Sequence, residues 1–163
     1  MTALILVDVD GVLDPVVALD LVEQRFTARL TPDRLQHLER ITELGRVAWA
    51  STAHLDVTTA MSDSVGSGAR FERVTLVDRL PAQEGFPGET PKLQSVARWI
   101  ERIDADERPT CIVWIDDVLG RDAFLWAESM TPPTLLIRTD PDHGLLADHV
   151  DRIEQFTSRW APA

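Results

Sequence analysis

At 163 residues, with 44% hydrophobic and 26% charged residues, the chain is long enough to bury a core, and disordered and fibrous classes are disfavoured. Its net charge of -11 speaks against non-specific embrace of a phosphate backbone, which needs basic patches, but leaves chemistry at a nucleic-acid end open. Cys111 is the sole cysteine, so no intrachain disulfide can form, and its apolar surroundings predict a buried strand residue. In chain order, Ala3 to Val9 reads as the first apolar strand. Asp8 interrupts it too early for the core of a secretion signal, no later run nears the ~18 residues of a membrane span, and the expected setting is the cytoplasm.

The segment from Asp14 to Leu30 is less regular. Thr31-Pro32-Asp33 then has the pattern of N-cap, first and second helical residues, and Leu35, Leu38, Ile41 and Leu44 make the apolar stripe that Gly45 ends. Arg46 to Ala50 predicts a second strand, Ser62 to Arg70 a loop, and Arg73 to Val77 a third strand. Gly66 and Gly68 lack the Lys-Ser/Thr of a phosphate-binding P-loop and read as loop glycines. Thr90-Pro91-Lys92 repeats the earlier helix opening, with Leu93, Val96, Ala97, Ile100 and Ile103 on one face. Strands follow at Thr110 to Ile115 and Thr134 to Arg138, and a last helix from Leu145 to Trp160 uses Leu146, Val150, Ile153, Phe156 and Trp160. Strands alternating with helical segments imply an α/β fold: a three-layer, Rossmann-like domain over residues 1–163 with a mainly parallel five-stranded sheet.

In such a sheet ligands bind beyond the carboxyl ends of the strands. Strand one ends at Asp8 and Asp10, whose i, i+2 spacing would turn both carboxylates to one side. Ser51 and Thr52 end the second strand, Asp116 and Asp117 end the fourth, and Lys92 opens the helix before it. With an effective dielectric of ~20, each pair of carboxylates ~5 Å apart repels by roughly 3 kcal/mol. One lysine cannot balance four such groups, whereas a divalent cation can, and an all-oxygen site suits Mg²⁺. A cation in a helix's first turn also opposes the helix dipole, which is explained if an anion such as a phosphoryl group lies between; the alternative is that Lys92 snorkels to solvent.

Taken in order, Asp8-Val9-Asp10-Gly11-Val12, Trp49-Ala50-Ser51, Lys92 and Trp114-Ile115-Asp116-Asp117 resemble the four motifs of the haloacid dehalogenase (HAD) superfamily. Together with Leu13, Asp122-Ala123, Trp126-Ala127 and Thr134 to Pro141, they resemble more narrowly the HAD domains of Swiss-army-knife RNA repair proteins. The resemblance implies a Mg²⁺-dependent phosphomonoester hydrolase. Asp8 would be its nucleophile, Asp10 its acid and base, and Lys92 the neutralising cation. Ser51 or Thr52 would hold the phosphate beside Gly11, and Asp8, Asp10, Asp117 and Asp116 would serve the metal. Asp117 aligns better with the metal ligand, leaving Asp116 to orient Lys92 or a water, although the two could be exchanged.

The intervals between Asp10, Ser51 and Lys92 leave no room for a folded cap, so the resemblance points to a capless type, with a flap at about residues 12–30. Its open site would admit a phosphorylated substrate such as a nucleic-acid end, in association with nucleic-acid repair enzymes. The alternatives are a small-metabolite or nucleotide phosphatase and a non-catalytic phosphate- or partner-binding domain. Arg25, Arg29 and Arg70 are either local positive charge for a substrate or solvated surface arginines. His54 reads as a capping or surface residue, or one that reaches substrate. Asp122 suits either a helix's first turn or support of the site. Asp14 is expected to shape the turn after Gly11, and His143 and His149 to be solvated. The tryptophans are expected to pack.

Overall fold

A computed structural model describes residues 2–66, 71–76 and 88–161. Five strands, β1 (Ala3–Val7), β4 (Gly45–Trp49), β5 (Phe71–Arg73), β6 (Ile112–Asp116) and β7 (Thr134–Arg138), form one parallel sheet in the order β5-β4-β1-β6-β7. The other two, β2 (Val16–Asp20) and β3 (Arg25–Arg29), pair antiparallel as a separate hairpin. Among the described residues, helices α1 (Pro32–Leu44), α2 (Leu55–Ser64), α3 (Leu93–Glu101), α4 (Arg121–Ser129) and α5 (Ala147–Ser158) complete the fold.

The period of two along each strand divides the core between two faces. Ile5, Val7, Val47, Trp49, Val113, Ile115 and Ile137 pack with Leu38 and Ile41 of α1, Val57 and Met61 of α2 and Val150 and Ile153 of α5. Leu4, Leu6, Ala48, Ile112, Trp114 and Leu136 pack on the other side with Val96 and Ile100 of α3 and Ala123 of α4. The domain is therefore three-layered α/β, and among the described residues it carries no large cap. Strand order reverses between β1 and β6, the position at which open α/β sheets leave a crevice for ligands.

Several element boundaries differ from expectation for identifiable reasons. Strand β1 stops at Val7, because the Val9 carbonyl accepts from the amides of Val12, Leu13 and Asp14 and closes a tight turn. Residues 16–29, expected to be irregular, form the hairpin; its alternation is hidden because Val16, Val17 and Leu19 are all exposed. Helix α2 continues through Ser62 to Ser64, and β5 lies earlier than expected, with Phe71 stacked on Trp49 at 4.9 Å. The expected loop residue Gly68, Arg70 and the strand residue Val77 lie outside the described residues.

Thr31 caps α1 as read, accepting from the Arg34 amide. Thr90 does not cap α3, which starts at Leu93 with Lys92 in the N-cap position, because Asp122 and Gly120 engage the Thr90 side chain. Helix α5 is shorter than expected. Leu146 and Trp160 stand outside its stripe, each 43% exposed, while Leu145 is buried ahead of the helix. Cys111 is buried just before β6 rather than within it. Trp114 is fully buried edge-on to Trp126, and burial pushes the Cys111 thiol up.

Arg34 joins three parts of one face. Its Nη1 donates to the carbonyls of Val12 (2.5 Å) and Leu145 (2.9 Å), and its Nη2 to that of His143. Gly144 allows this approach: it adopts φ +57°, and a Cβ there would lie 2.3 Å from Nη1. Arg34→Ala should cost about 3 kcal/mol and lower Tm by roughly 10 °C, with Arg34→Lys intermediate because it keeps the charge but loses the planar fork. Thermal denaturation followed by circular dichroism checks this; equal stability of all three proteins would contradict it.

Candidate active site

Because β1 and β6 are neighbours, their carboxyl ends bring residues 8 and 116 together. The Asp8 amide donates to the Ile115 carbonyl at 3.0 Å, so the residue after β1 is fixed by β6 backbone. Only 3% of Asp8 is exposed, and its Oδ1 accepts from the Val9 amide at 2.8 Å. Its Oδ2 accepts from Lys92 Nζ, which also donates to Asp116 Oδ2 at 2.9 Å. Asp116 Oδ1 accepts from the Val118 amide, so both of its oxygens are occupied. Lys92 does not snorkel to solvent; its side chain is 15% exposed and bridges the two aspartates.

Asp117 completes the acidic group. Asp8, Asp116 and Asp117 each offer a carboxylate oxygen, all within 4.8 Å of one another. Gly11 gives them space. It has φ +69°, and a Cβ on it would meet the Asp117 carboxylate at 2.5 Å. Asp14 Oδ1 accepts from the Gly11 amide at 2.7 Å, the turn-shaping contact read from sequence, and Thr139 Oγ1 donates to the Gly11 carbonyl at 2.7 Å.

Asp10 has a different environment. The i, i+2 geometry does not apply beyond Val7, where the chain turns, so Asp10 is exposed and outside the three-carboxylate group. It lines a neighbouring cavity together with Phe26 and His54. Ser51, 1% exposed, lies just beyond β4, and its Oγ accepts from the Ala53 amide at 3.1 Å; Thr52 is exposed. His54 is the capping residue, its Nδ1 accepting from the Asp56 amide at 3.2 Å. Arg25 and Arg29 are exposed on the hairpin. His143 is exposed, whereas His149 is half-buried; its Nδ1 accepts from the Leu146 amide, and burial draws the imidazole down.

Three supporting contacts brace the loops around the site, and of their residues only Asp122 has a supporting role among its sequence-based alternatives. Arg73 donates to Thr58 Oγ1 and to the carbonyls of Ser51 and Ala53, binding the Ser51 loop to β5. Thr90 receives the support of Asp122, which sits in the first turn of α4 and accepts from the Thr90 amide and hydroxyl. Thr139 ties β7 to Gly11. All three use ordinary polar residues at element ends, and no local pattern distinguishes them from surface groups.

Burial and charge act against each other here. Burial is the largest influence on Asp8, with Asp116 adding repulsion; together they outweigh Lys92 and push Asp8 from 3.8 up to about 6. Burial also draws Lys92 down, but Asp116 and Asp8 more than compensate and hold its ammonium above the usual range. Asp117 is raised by burial and then by Asp116. Asp122 is lowered despite partial burial, because Thr90 and the Ala123 amide stabilise its charge. One ammonium thus faces three carboxylates, and their all-oxygen donor set, opened by Gly11, fits a hard divalent cation such as Mg²⁺.

The sheet order and this carboxylate-lysine site define a HAD-like domain. The sequence profile described as the HAD domain in Swiss Army Knife RNA repair proteins matches residues 4–150, and the chain belongs to that family. Searches of curated proteins and of solved structures found no match. Family membership supports a phosphatase-type hydrolase function of the HAD superfamily. No helix among the described residues is long and apolar enough to cross a membrane.

Burial raises the Asp8 carboxyl, so its protonated form favours the folded state. Its contribution to stability is fully present below about 3.8 and is lost as pH rises through about 6. In chelator-treated protein, Asp8→Asn should therefore raise Tm at pH 7.5 by roughly 5 °C, the gain fading toward pH 4. Melts of both proteins across this range decide the matter; an equal gain at every pH would exclude ionisation of Asp8 as its source.

Proposed function

We propose that this protein is a Mg²⁺-dependent phosphomonoester hydrolase acting through an aspartyl-phosphate on Asp8, with terminal phosphates of polynucleotides as its substrate. The observation that carries the reading is the Lys92 bridge between buried Asp8 and Asp116, beside Asp117. A site that only bound phosphate would gain nothing from a buried anion turned toward an anionic ligand. A nucleophile requires one, together with a cation to offset the repulsion. The family description, which concerns RNA repair proteins, favours a nucleic-acid end, cytoplasmic action and nucleic-acid repair enzymes as partners. The β2–β3 hairpin serves as the flap of the site.

In the first step an Asp8 carboxylate oxygen attacks phosphorus, and the bond from phosphorus to the leaving oxygen breaks. Asp10 gives that oxygen its proton. Asp10 then takes a proton from water, whose oxygen attacks phosphorus and releases inorganic phosphate and free Asp8. The different surroundings of the two aspartates support this division, since Asp8 contacts Lys92 while Asp10 lines the adjacent cavity. Lys92 holds Asp8 ionised and neutralises charge as it moves from carboxylate to phosphoryl oxygens. The Ser51 hydroxyl, with its loop braced by Arg73, binds a phosphoryl oxygen, and Gly11 lets the phosphoryl group approach. Asp8, Asp117 and the Asp10 carbonyl would hold Mg²⁺, with Asp116 orienting Lys92. When bound, the ion supplies positive charge to the phosphoryl oxygens and lowers the repulsion an anionic substrate meets.

Purified protein should hydrolyse p-nitrophenyl phosphate with Mg²⁺ and lose the activity in EDTA. Asp8→Asn should lower kcat at least 10³-fold, and undiminished turnover in that variant would refute the nucleophile. Asp10→Asn should lower kcat by about 10²- to 10⁴-fold while phosphate still binds; unchanged kcat would remove its acid-base role. A screen of sugar phosphates, nucleotides, phosphopeptides and end-phosphorylated oligonucleotides should favour the oligonucleotides. Preference for free nucleotides or sugars would assign a metabolite phosphatase instead.

Mg²⁺ should also raise the Tm of chelator-treated protein, and by less at pH 5 than at pH 7.5. Protons occupy Asp8 below about 6 and compete with the ion. Thermal melts with and without Mg²⁺ at the two pH values check this linkage, and an equal shift at both would exclude Asp8 as a ligand.

A further inference from the structure

We infer that the cleft between the β2–β3 hairpin and the start of α2 is a leaving-group subsite. It takes a flat, uncharged ring, a nucleobase in the biological substrate, against Phe26 and His54. The inference rests on the phosphatase reading, which supplies the leaving group.

The cavity has a volume of about 360 Å³, near the lower end of ~300–1,000 Å³ for small-molecule sites and suited to one ring-bearing unit. Its position connects it to the chemistry: Val9 and Asp10, the residues after Asp8, form part of its lining. A group departing from phosphorus on Asp8 and protonated by Asp10 would leave on this side.

Its walls specify the kind of group. Val17, Phe26 and Val57 provide apolar surface. The rings of Phe26 and His54 have centroids 5.0 Å apart and are tilted by 57°, which makes an aromatic corner rather than a closed stack. His54 Nδ1 is committed as an acceptor to the Asp56 amide, so in the neutral ring Nε2 carries the proton and can donate to a ring nitrogen or carbonyl. Asp56 also accepts from the Phe26 amide through Oδ2 at 3.3 Å. Asp56 therefore fixes both aromatic residues, His54 through its backbone amide and Phe26 through its carboxylate.

Charge excludes the principal competitors. Asp10 and Asp14 line the cleft, and no lysine or arginine does so among the described residues. A leaving group with a second phosphate or a carboxylate at this point would meet like charge, whereas a neutral base would not. Stacking of a base on an aromatic side chain contributes roughly five- to hundredfold in affinity and tolerates different base identities.

The test compares kcat/KM for adenosine 3′-phosphate and for glycerol 2-phosphate, using the full chain with Mg²⁺. The wild type should prefer the nucleoside substrate by at least tenfold. Phe26→Leu, which keeps apolar bulk but removes the ring, should cut that ratio about tenfold through KM; Phe26→Ala provides a second variant. A ratio near one, or one that Phe26→Leu leaves unchanged, overturns the inference.

Binding of unphosphorylated adenosine to the chelator-treated protein is measured separately by NMR and needs no turnover. Shifts at the Phe26, His54 and Val57 amides in the wild type, lost in folded Phe26→Leu, support the subsite even if neither ester is hydrolysed, an outcome that would count against the phosphatase reading alone. Their absence from the wild type overturns it.

Discussion

The molecule's organisation depends on a single ammonium group. Lys92 reaches from the start of α3 to the carboxylates that follow β1 and end β6, joining the two strands at which the sheet order reverses. It lies where burial would ordinarily discharge an amine, and it stays charged because two aspartates face it. The balance is incomplete by design of the chain: three carboxylates share one cation. Such a site stores repulsion that an added positive ion can relieve. Structure and chemistry meet in this residual charge.

Around this group, polar contacts between sequence-distant loops set position. Asp122 and Thr90 join the segment leading into Lys92 to α4, Arg73 fastens the Ser51 loop to β5, and Arg34 gathers the carbonyls of Val12, His143 and Leu145. Each polar side chain satisfies backbone or hydroxyl groups that irregular loops would otherwise leave unpaired. The sheet sets distances along its strands, while these contacts set the loops beyond their ends.

The fold was legible where one element's pattern suffices. The apolar strands, the Thr31-Pro32 helix opening and the order of the motifs each depend on local spacing, and they led to the sheet and to Asp8, Ser51, Lys92, Asp116 and Asp117 at its edge. Errors arose where a tertiary partner overrode a local signal. Thr90 looked like a cap but was already taken by Asp122 and Gly120. Asp10 looked like the partner of Asp8, but the turn closed by the Val9 carbonyl gave them separate surroundings. The hairpin escaped because its apolar residues face outward, removing the alternation by which half-buried strands are read.

The turn after Asp8 has a mechanical consequence. One carbonyl closes it, and the next two residues, Val12 and Leu13, plunge into the core with at most 1% exposure. Displacing the turn would return both side chains to water, at about 1.5–3 kcal/mol apiece. The turn is thereby anchored to the hydrophobic core. The hairpin, with exposed apolar residues and a two-stranded ladder of its own, has no comparable anchor along β2. The hairpin side of the cleft is thus the less firmly packed one, while the turn after Asp8 is held by the core.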